Sequence, residues 1–350
     1  MPSTAYCYDA HERDHDQPGH PENRRRLEST LRLLKQTGLL PQLQAVPCTP
    51  LSDERLLRVH PRRHIERIEG LAARGGGYLD PDTYVSPGSA QAARLAAGGL
   101  VNLTLAVLDG QASNGFALIR PPGHHATADS AMGFCLFSNV ALAARTAQAE
   151  RGVQRILIVD YDVHHGNGTE AIFYDDPGVL FFSTHQYPYY PGTGAINDAG
   201  AGAGVGATIN VPLPPGVGDQ GYAAIFEHIL WPAARRFQPQ LILVSAGYDA
   251  HWDDPLAGMA LSLTGYAHLV SELLGMADEL CAGKIVCALE GGYNLDVLAC
   301  GVLNTLSLLH DRGAVIQDPF GPAPRPERDA SMLIQRVRAL HGLRPRDDQA

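Results

Sequence analysis

Residues 156–173 read ILIVDYDVHHGNGTEAIF. Ile156 to Val159 form a short, unbroken apolar run, and Asp160, Asp162, His164 and His165 follow it at once. A run of this length without polar alternation suits a strand covered on both faces, as in a parallel sheet. The polar residues behind it can grip a cation or move protons. The strand therefore reads as Ile156–Asp160, with chemistry at its carboxyl end.

Similar runs occur at Phe116–Ile119, Val179–Ser183, Ala207–Val211, Leu241–Ser245 and Ile285–Leu289. Helical patterns lie between them at Gln91–Leu108, Asn139–Glu150, Asp219–Phe237 and Thr264–Cys281. Ser138 is placed to cap the second helix and Gly152 to stop it. Pro232 predicts a kink or break in the third. The alternation predicts an α/β domain with a mainly parallel sheet flanked by helices. Residues 186–206 are rich in Tyr, Pro and Gly and read as a long loop. The Gly-rich AGAGVGA stretch lacks the strand-turn-helix context of a phosphate loop.

No linker divides the 350 residues into two patterned halves, so one domain is expected over 1–317. Residues 318–350 are rich in Pro, Arg and Asp, with an apolar patch at Met332–Leu340. They predict a tail with a short helix and a frayed end. The net charge of -10 offers no basic face, so no direct nucleic-acid partner is expected. No run approaches 18 uninterrupted apolar residues and the N-terminus lacks a secretory pattern, so neither a membrane span nor export is expected. Six cysteines without a CxxC pair suit reduced thiols in a cytoplasm.

Each of five strands ends in polar residues. They are Arg120-Pro-Pro-Gly-His124-His125, the Asp160–Asn167 stretch, His185, Gly-Tyr-Asp249 with Asp253-Asp254, and Glu290-Gly-Gly-Tyr293-Asn294. Ligands of open α/β sheets bind at the carboxyl ends of the strands, so clusters far apart in sequence can converge there. Asp162 and His164, two apart on extended chain, point the same way and could hold one ion with a third ligand from another strand. Taken alone, a His-His pair is more often a helix cap or a surface pair. Beside a metal site, His124 and His125 become candidates for proton transfer. Asp160 and Asn167 are placed to orient one ring each, and a carboxylate partner raises basicity more than an amide does. Tyr293, after a Gly-Gly pair, could donate to a developing oxyanion. Phe134 and Tyr190 could wall an apolar slot.

The motifs RPPGHHA (120–126), GFCLFSN (133–139), VDYDVHHGNGT (159–169), FFSTHQ (181–186), YYPGTG (189–194), SAGYDAHWDDPLAGM (245–259) and LEGGYN (289–294) resemble the histone deacetylase and acetylpolyamine amidohydrolase superfamily. HHGNGT and LEGGYN look closer to its class II branch and bacterial relatives. The resemblance implies a single arginase-like domain with a roughly eight-stranded sheet. It implies Zn²⁺ on Asp162, His164 and Asp254, with Asp253 the adjacent alternative. It implies His124 and His125 as base and acid, Asp160 behind the first, and Tyr293 polarising the acyl carbonyl. Asn167 stands where some relatives carry Asp, so the partner of His125 is neutral. Gly133, Phe134 and Tyr190 match the acyl-lysine tunnel, and Arg26 a buried arginine beneath it.

A structural K⁺ is implied near Asp160, Asp162, His164, Ser183 and Thr184, with a second monovalent site around Phe173, Asp176 and Val179. The expected activity is removal of acetyl or other acyl groups from lysine side chains or small acylated amines. Leu261, seven after Asp254, stands where a polyamine-selective relative can carry an acidic gatekeeper, which favours acyl-lysine over acetylpolyamine. An arginase-type binuclear hydrolase needs more His and Asp ligands. A non-catalytic acyl-lysine binding protein would be marked by a lost ligand or Tyr, and neither loss is present. Oligomeric state stays open.

Overall fold

The computed structural model describes residues 3–343. Among the described residues there are ten strands: β1 Thr4–Cys7, β2 Gln44–Val46, β3 Gly77–Tyr78, β4 Tyr84–Val85, β5 Asn114–Ala117, β6 Ile156–Asp160, β7 Val179–Gln186, β8 Thr208–Leu213, β9 Leu241–Ala246 and β10 Ile285–Leu289. Eight of them form one sheet in the order β2-β1-β5-β10-β9-β6-β7-β8, and all its pairings are parallel. The parallel α/β architecture is as the alternation implied, and the eight strands are as the resemblance implied.

The alternation of side chains along β6 shows why the run is apolar throughout. Leu157 and Val159 enter the core on one face, while Ile156 and Ile158 enter the core on the other. β9 divides the same way, with Ile242 and Val244 opposite Leu241 and Leu243. Each such fully buried aliphatic side chain contributes about 2 kcal/mol of transfer free energy.

The strands at Ile156–Asp160 and Ile285–Leu289 match the sequence reading. β5 begins two residues earlier than Phe116, and β7 and β8 run further, to Gln186 and Leu213. Sequence patterning missed β1 and β2, which are short and lie toward the sheet edge, where burial on two faces is not required. Of the kink or break expected at Pro232, no break occurs. The helix Asp219–Ile225 passes through a π-helical turn, Phe226–Leu230, into the helix Trp231–Phe237, and Pro232 sits in the first turn of that last segment. A π turn leaves the missing proline N–H without a required partner, so the path continues.

Helix Ser89–Leu108 is long and apolar enough to cross a membrane, but 72% of its apolar window is buried inside the protein. The C-terminal helix spans Ser331–His341 and buries Ile334 and Val337 in the core beside β8. The frayed end expected after it lies outside the described residues.

Candidate active site

Register brings the strand ends together. Asp160 pairs with Ser245 across β6 and β9, and Leu289 pairs with Ala246 across β10 and β9. The segments leaving these three neighbouring strands therefore start at one level. Val163 N–H donates to Asp249 Oδ1 at 2.9 Å, and Gly291 N–H donates to Asp162 Oδ2 at 2.7 Å. A Cβ at Gly291 would overlap the Asp249 and Asp162 carboxylates, so this close approach requires glycine.

Among the described residues two buried groups have ligand atoms within 4.8 Å of one another, His124 with Cys135 and Glu290, and Asp162 with His164 and Asp249; the second has the imidazole and two carboxylates at the strand ends. His164 Nδ1 lies 3.2 Å from both Asp162 Oδ1 and Asp249 Oδ2. Asp249 Oδ2 is buried without a hydrogen-bond partner. One imidazole and two carboxylates, one of them with that orphaned oxygen, form a donor set suited to a transition metal such as zinc, with a position left for water or substrate. This corrects the sequence assignment of Asp254. Its Oδ2 accepts the amides of Tyr293 at 2.7 Å and Asn294 at 3.1 Å, and its Oδ1 accepts Leu256 N–H at 2.9 Å. Asp254 is thus committed to shaping the turn that carries Tyr293. Asp253, the alternative, is joined to the Asn294 amide.

The His124 and His125 rings lie side by side, tilted by 40° with centroids 4.0 Å apart. His124 Nδ1 lies 3.0 Å from Asp160 Oδ2, and His125 Nδ1 lies 2.8 Å from Asn167 Oδ1. The two rings differ as their partners imply. Burial disfavours the charged form of His124, but the Asp162 and Asp160 carboxylates outweigh it and push its pKa up to about 10. Burial and the neighbouring His124 hold His125 well below its ordinary value. His164 is likewise raised, to about 10, where Asp162 and Asp249 outweigh burial. A cation held by Asp162 and Asp249 would take up the negative charge that raises both histidines.

Glu290, which the sequence reading left without a role, accepts the amides of Gly123 at 2.7 Å and His124 at 3.2 Å and so fixes the histidine turn. Burial pushes its carboxyl up to about 7. Beneath the site, Glu22 joins Arg26 and Arg120, and all three are fully buried. Arg26 donates to the carbonyls of Gly292 and Glu290 and sits 5.1 Å from the Tyr293 ring centroid.

A cavity of ≈ 220 Å³ is lined by Asp82, His125, Gly133, Phe134, His164, Tyr189, Tyr190, Leu256 and Tyr293. Gly133, Phe134 and Tyr190 are therefore wall residues of this cavity. Leu261 is not: it is fully buried in the core and bridges to His251, while Leu256 reaches the cavity. Leu256 stands seven residues after Asp249, so correcting the ligand corrects the rim residue as well. Tyr293 shares the cavity with His125 and His164, and burial holds its phenol well above the ordinary value, keeping it a donor. Ser183 Oγ lies 2.9 Å from His185 Nδ1, and Thr184 Oγ1 is buried without a partner.

The strand-end pattern could have found Asp249, which follows β9 after two residues. Asp82 lies on a loop outside the motifs and carried no sequence signal, whereas Tyr189 stands in the YYPGTG motif beside Tyr190 and was passed over.

Residues 20–309 match the histone deacetylase domain family. The chain is 44% identical over 302 residues to a histone deacetylase-like amidohydrolase of Pseudomonas aeruginosa, covering 86% of this chain and 78% of that protein. It is 43% identical over 285 residues to a probable deacetylase of Archaeoglobus fulgidus, covering 81% and 79%. A crystal structure of an HDA15 HD domain superposes with a TM-score of 0.90 at 35% identity, covering 97% of this chain and 95% of that one.

Proposed function

Because the chain belongs to the histone deacetylase family, and is thus a hydrolase with deacetylase chemistry, we propose that it is a zinc-dependent lysine deacylase. The observation that carries this reading is the convergence of Asp162, His164 and Asp249 with His125, Tyr293 and an apolar-walled cavity. A zinc ion on that triad would supply Lewis-acid polarisation of the acyl carbonyl and of water.

The protein's own groups do the rest. Phe134, Tyr190 and Leu256 enclose the methylene chain of a lysine and exclude water from it. His124 Nδ1 is engaged with Asp160, which leaves Nε2 to take a proton from the attacking water. His125, held by Asn167, shares that work and can return a proton to the departing amine. The Tyr293 hydroxyl donates to the carbonyl oxygen as it gains charge. Acetate, or a longer carboxylate, and a free amine are the products.

Acetylpolyamine hydrolysis is the second reading. It is favoured by Asp82, whose carboxylate lies on the cavity wall where a cationic chain would pass. Leu256, an apolar residue on the same wall, favours lysine. A structural K⁺ near Asp160, Asp162, His164, Ser183 and Thr184 is part of the proposal, supported by the unpartnered Thr184 hydroxyl. A reducing cytoplasm as its compartment is supported by six free cysteines.

The test is turnover by the zinc-loaded protein of acetyl-lysine peptides, peptides with longer acyl groups, and N-acetylputrescine, with Tyr293→Phe as control. Turnover of lysine peptides that the control loses supports the proposal. Preference for N-acetylputrescine moves the assignment to polyamines. Silence on all three, with metal bound, points to an acyl-lysine binding protein.

A further inference from the structure

The Gly133–Phe134 wall of the cavity is an unfavourable piece of backbone. Met132 and Cys135 face each other in an antiparallel bridge, with Cys135 N–H donating to Met132 O at 3.0 Å. The two residues between them both have left-handed φ, 55° at Gly133 and 70° at Phe134. A Gly133 side chain would overlap the His125 ring, so glycine is required there. Phe134 has a Cβ, and left-handed backbone costs such a residue about 1–2 kcal/mol. Thr83 Oγ1 accepts Phe134 N–H at 3.1 Å and holds the turn from one side. Its two ends need holding too.

Two buried histidines outside the reacting group do this. His60 is fully buried and His64 is 2% exposed. His60 Nδ1 lies 2.9 Å from Ala128 O, and its Nε2 lies 2.9 Å from Ser138 N. The amide must donate, so Nε2 accepts and Nδ1 carries the hydrogen. Only the neutral ring satisfies both bonds, and one ring thereby ties residues 128 and 138, on either side of the turn. His64 Nε2 donates to Leu136 O at 2.9 Å. The two rings stack at 4.8 Å, and Phe137 packs on both at 5.2 and 5.8 Å. The opposite wall repeats the device. His165 Nδ1 lies 2.8 Å from Thr193 Oγ1, and His185 Nε2 lies 2.9 Å from Gly194 O, just beyond Tyr189 and Tyr190.

We infer that His60 and His64 are positioning residues, a neutral histidine brace that sets the Phe134 wall and hence the width of the slot an acylated chain enters. They line no part of the cavity themselves. Loss of the brace lets the strained turn relax away from the slot, so contact with a long chain is lost while the reacting groups stay in place. The signature is a change in KM with little change in kcat.

The inference rests on the deacylase reading only in the choice of substrate. For the zinc-loaded full chain, His60→Ala is expected to raise KM for an acetyl-lysine peptide about tenfold and to leave kcat within about twofold. His60→Asn, which keeps a donor for Ala128 O, is expected to recover part of that loss. Calorimetric binding of two hydroxamic acids gives a readout without turnover. Octanohydroxamic acid, whose chain runs along the wall, is expected to bind about tenfold more weakly to His60→Ala, and acetohydroxamic acid unchanged. Should His60→Ala fail to fold, His64→Gln serves as the milder second variant with the same expected pattern. A fall in kcat at constant KM, equal weakening of both hydroxamic acids, or no change in either overturns the inference. If the wild type turns over no acyl substrate while octanohydroxamic acid alone is weakened in the variant, the deacylase reading fails and the brace stands.

Discussion

Asp249 Oδ2 lies 3.2 Å from His164 Nδ1, at the carboxyl ends of the adjacent parallel strands β9 and β6. Asp254, five residues further along the same chain, faces the amides of Tyr293 and Asn294 instead. The two acids therefore have separable roles. Asp249→Ala is expected to lower zinc affinity by at least about 100-fold and abolish turnover. Asp254→Asn is expected to keep the metal and lower kcat through a loosened Tyr293. Metal content by mass spectrometry, measured beside turnover, distinguishes the two. Retention of zinc by Asp249→Ala with loss from Asp254→Asn would reverse the assignment.

Tyr293 shares a cavity with His125 and His164, and its phenol stays protonated. A donor that acts only as charge develops should affect kcat and not binding. Tyr293→Phe is expected to lower kcat by about 100- to 1,000-fold with KM within about threefold. Steady-state kinetics on one peptide is sufficient. An unchanged kcat would remove the tyrosine from the mechanism.

Leu256 lines the cavity, and Leu261 is fully buried in the core. Leu256→Glu is expected to raise kcat/KM on acetylated polyamines relative to acetyl-lysine peptide by about tenfold, through attraction of the cationic chain. Leu261→Glu places a carboxylate in the core and is expected to destabilise the fold by roughly 3 kcal/mol or more, with no specificity change. Parallel unfolding curves and competition assays separate the two. A specificity switch at Leu261 would contradict the structure.

The neutral form that His60 needs has a pH consequence. Burial and the neighbouring His64 lower its pKa to about 3. Between about 3 and 6.5 the unfolded chain carries a proton on His60 that the folded chain lacks, so this residue costs stability as pH falls through that window and nothing above it. At pH 7 His60→Asn is less stable than wild type, because the brace is weakened. At pH 5 that gap is expected to narrow by roughly 2 kcal/mol, since wild type alone bears the proton cost. Urea unfolding of both proteins at the two pH values measures it. A gap that stays constant would mean that His60 is charged in the fold.

The inner strands were legible because they are buried on both faces. Ile156–Val159 and Ile285–Leu289 need apolar side chains at every position, and an unbroken run leaves few other readings. β1 and β2 escaped because Thr4–Cys7 and Gln44–Val46 are too short to show a period. At Pro232, where a kink or break was expected, the helix stays unbroken for a local reason: a π turn ahead of it removed the need for the missing amide.

Within the site, the sequence by itself determined which chemistries the chain can perform. Asp162 and His164 share one extended segment, His124 and His125 share one turn, and Tyr293 follows Gly291 and Gly292, so their residue types and spacing are local properties. The third carboxylate was not a local property. Asp249, Asp253 and Asp254 are equally acidic in sequence, and only the register of β9 against β6 and β10 decides which one meets His164. The brace behind Phe134 was also hidden, because His60 and His64 act on carbonyls and an amide some seventy residues away in the chain. Backbone hydrogen bonds of that kind carry no residue-type signature, and the tertiary structure alone decided their partners.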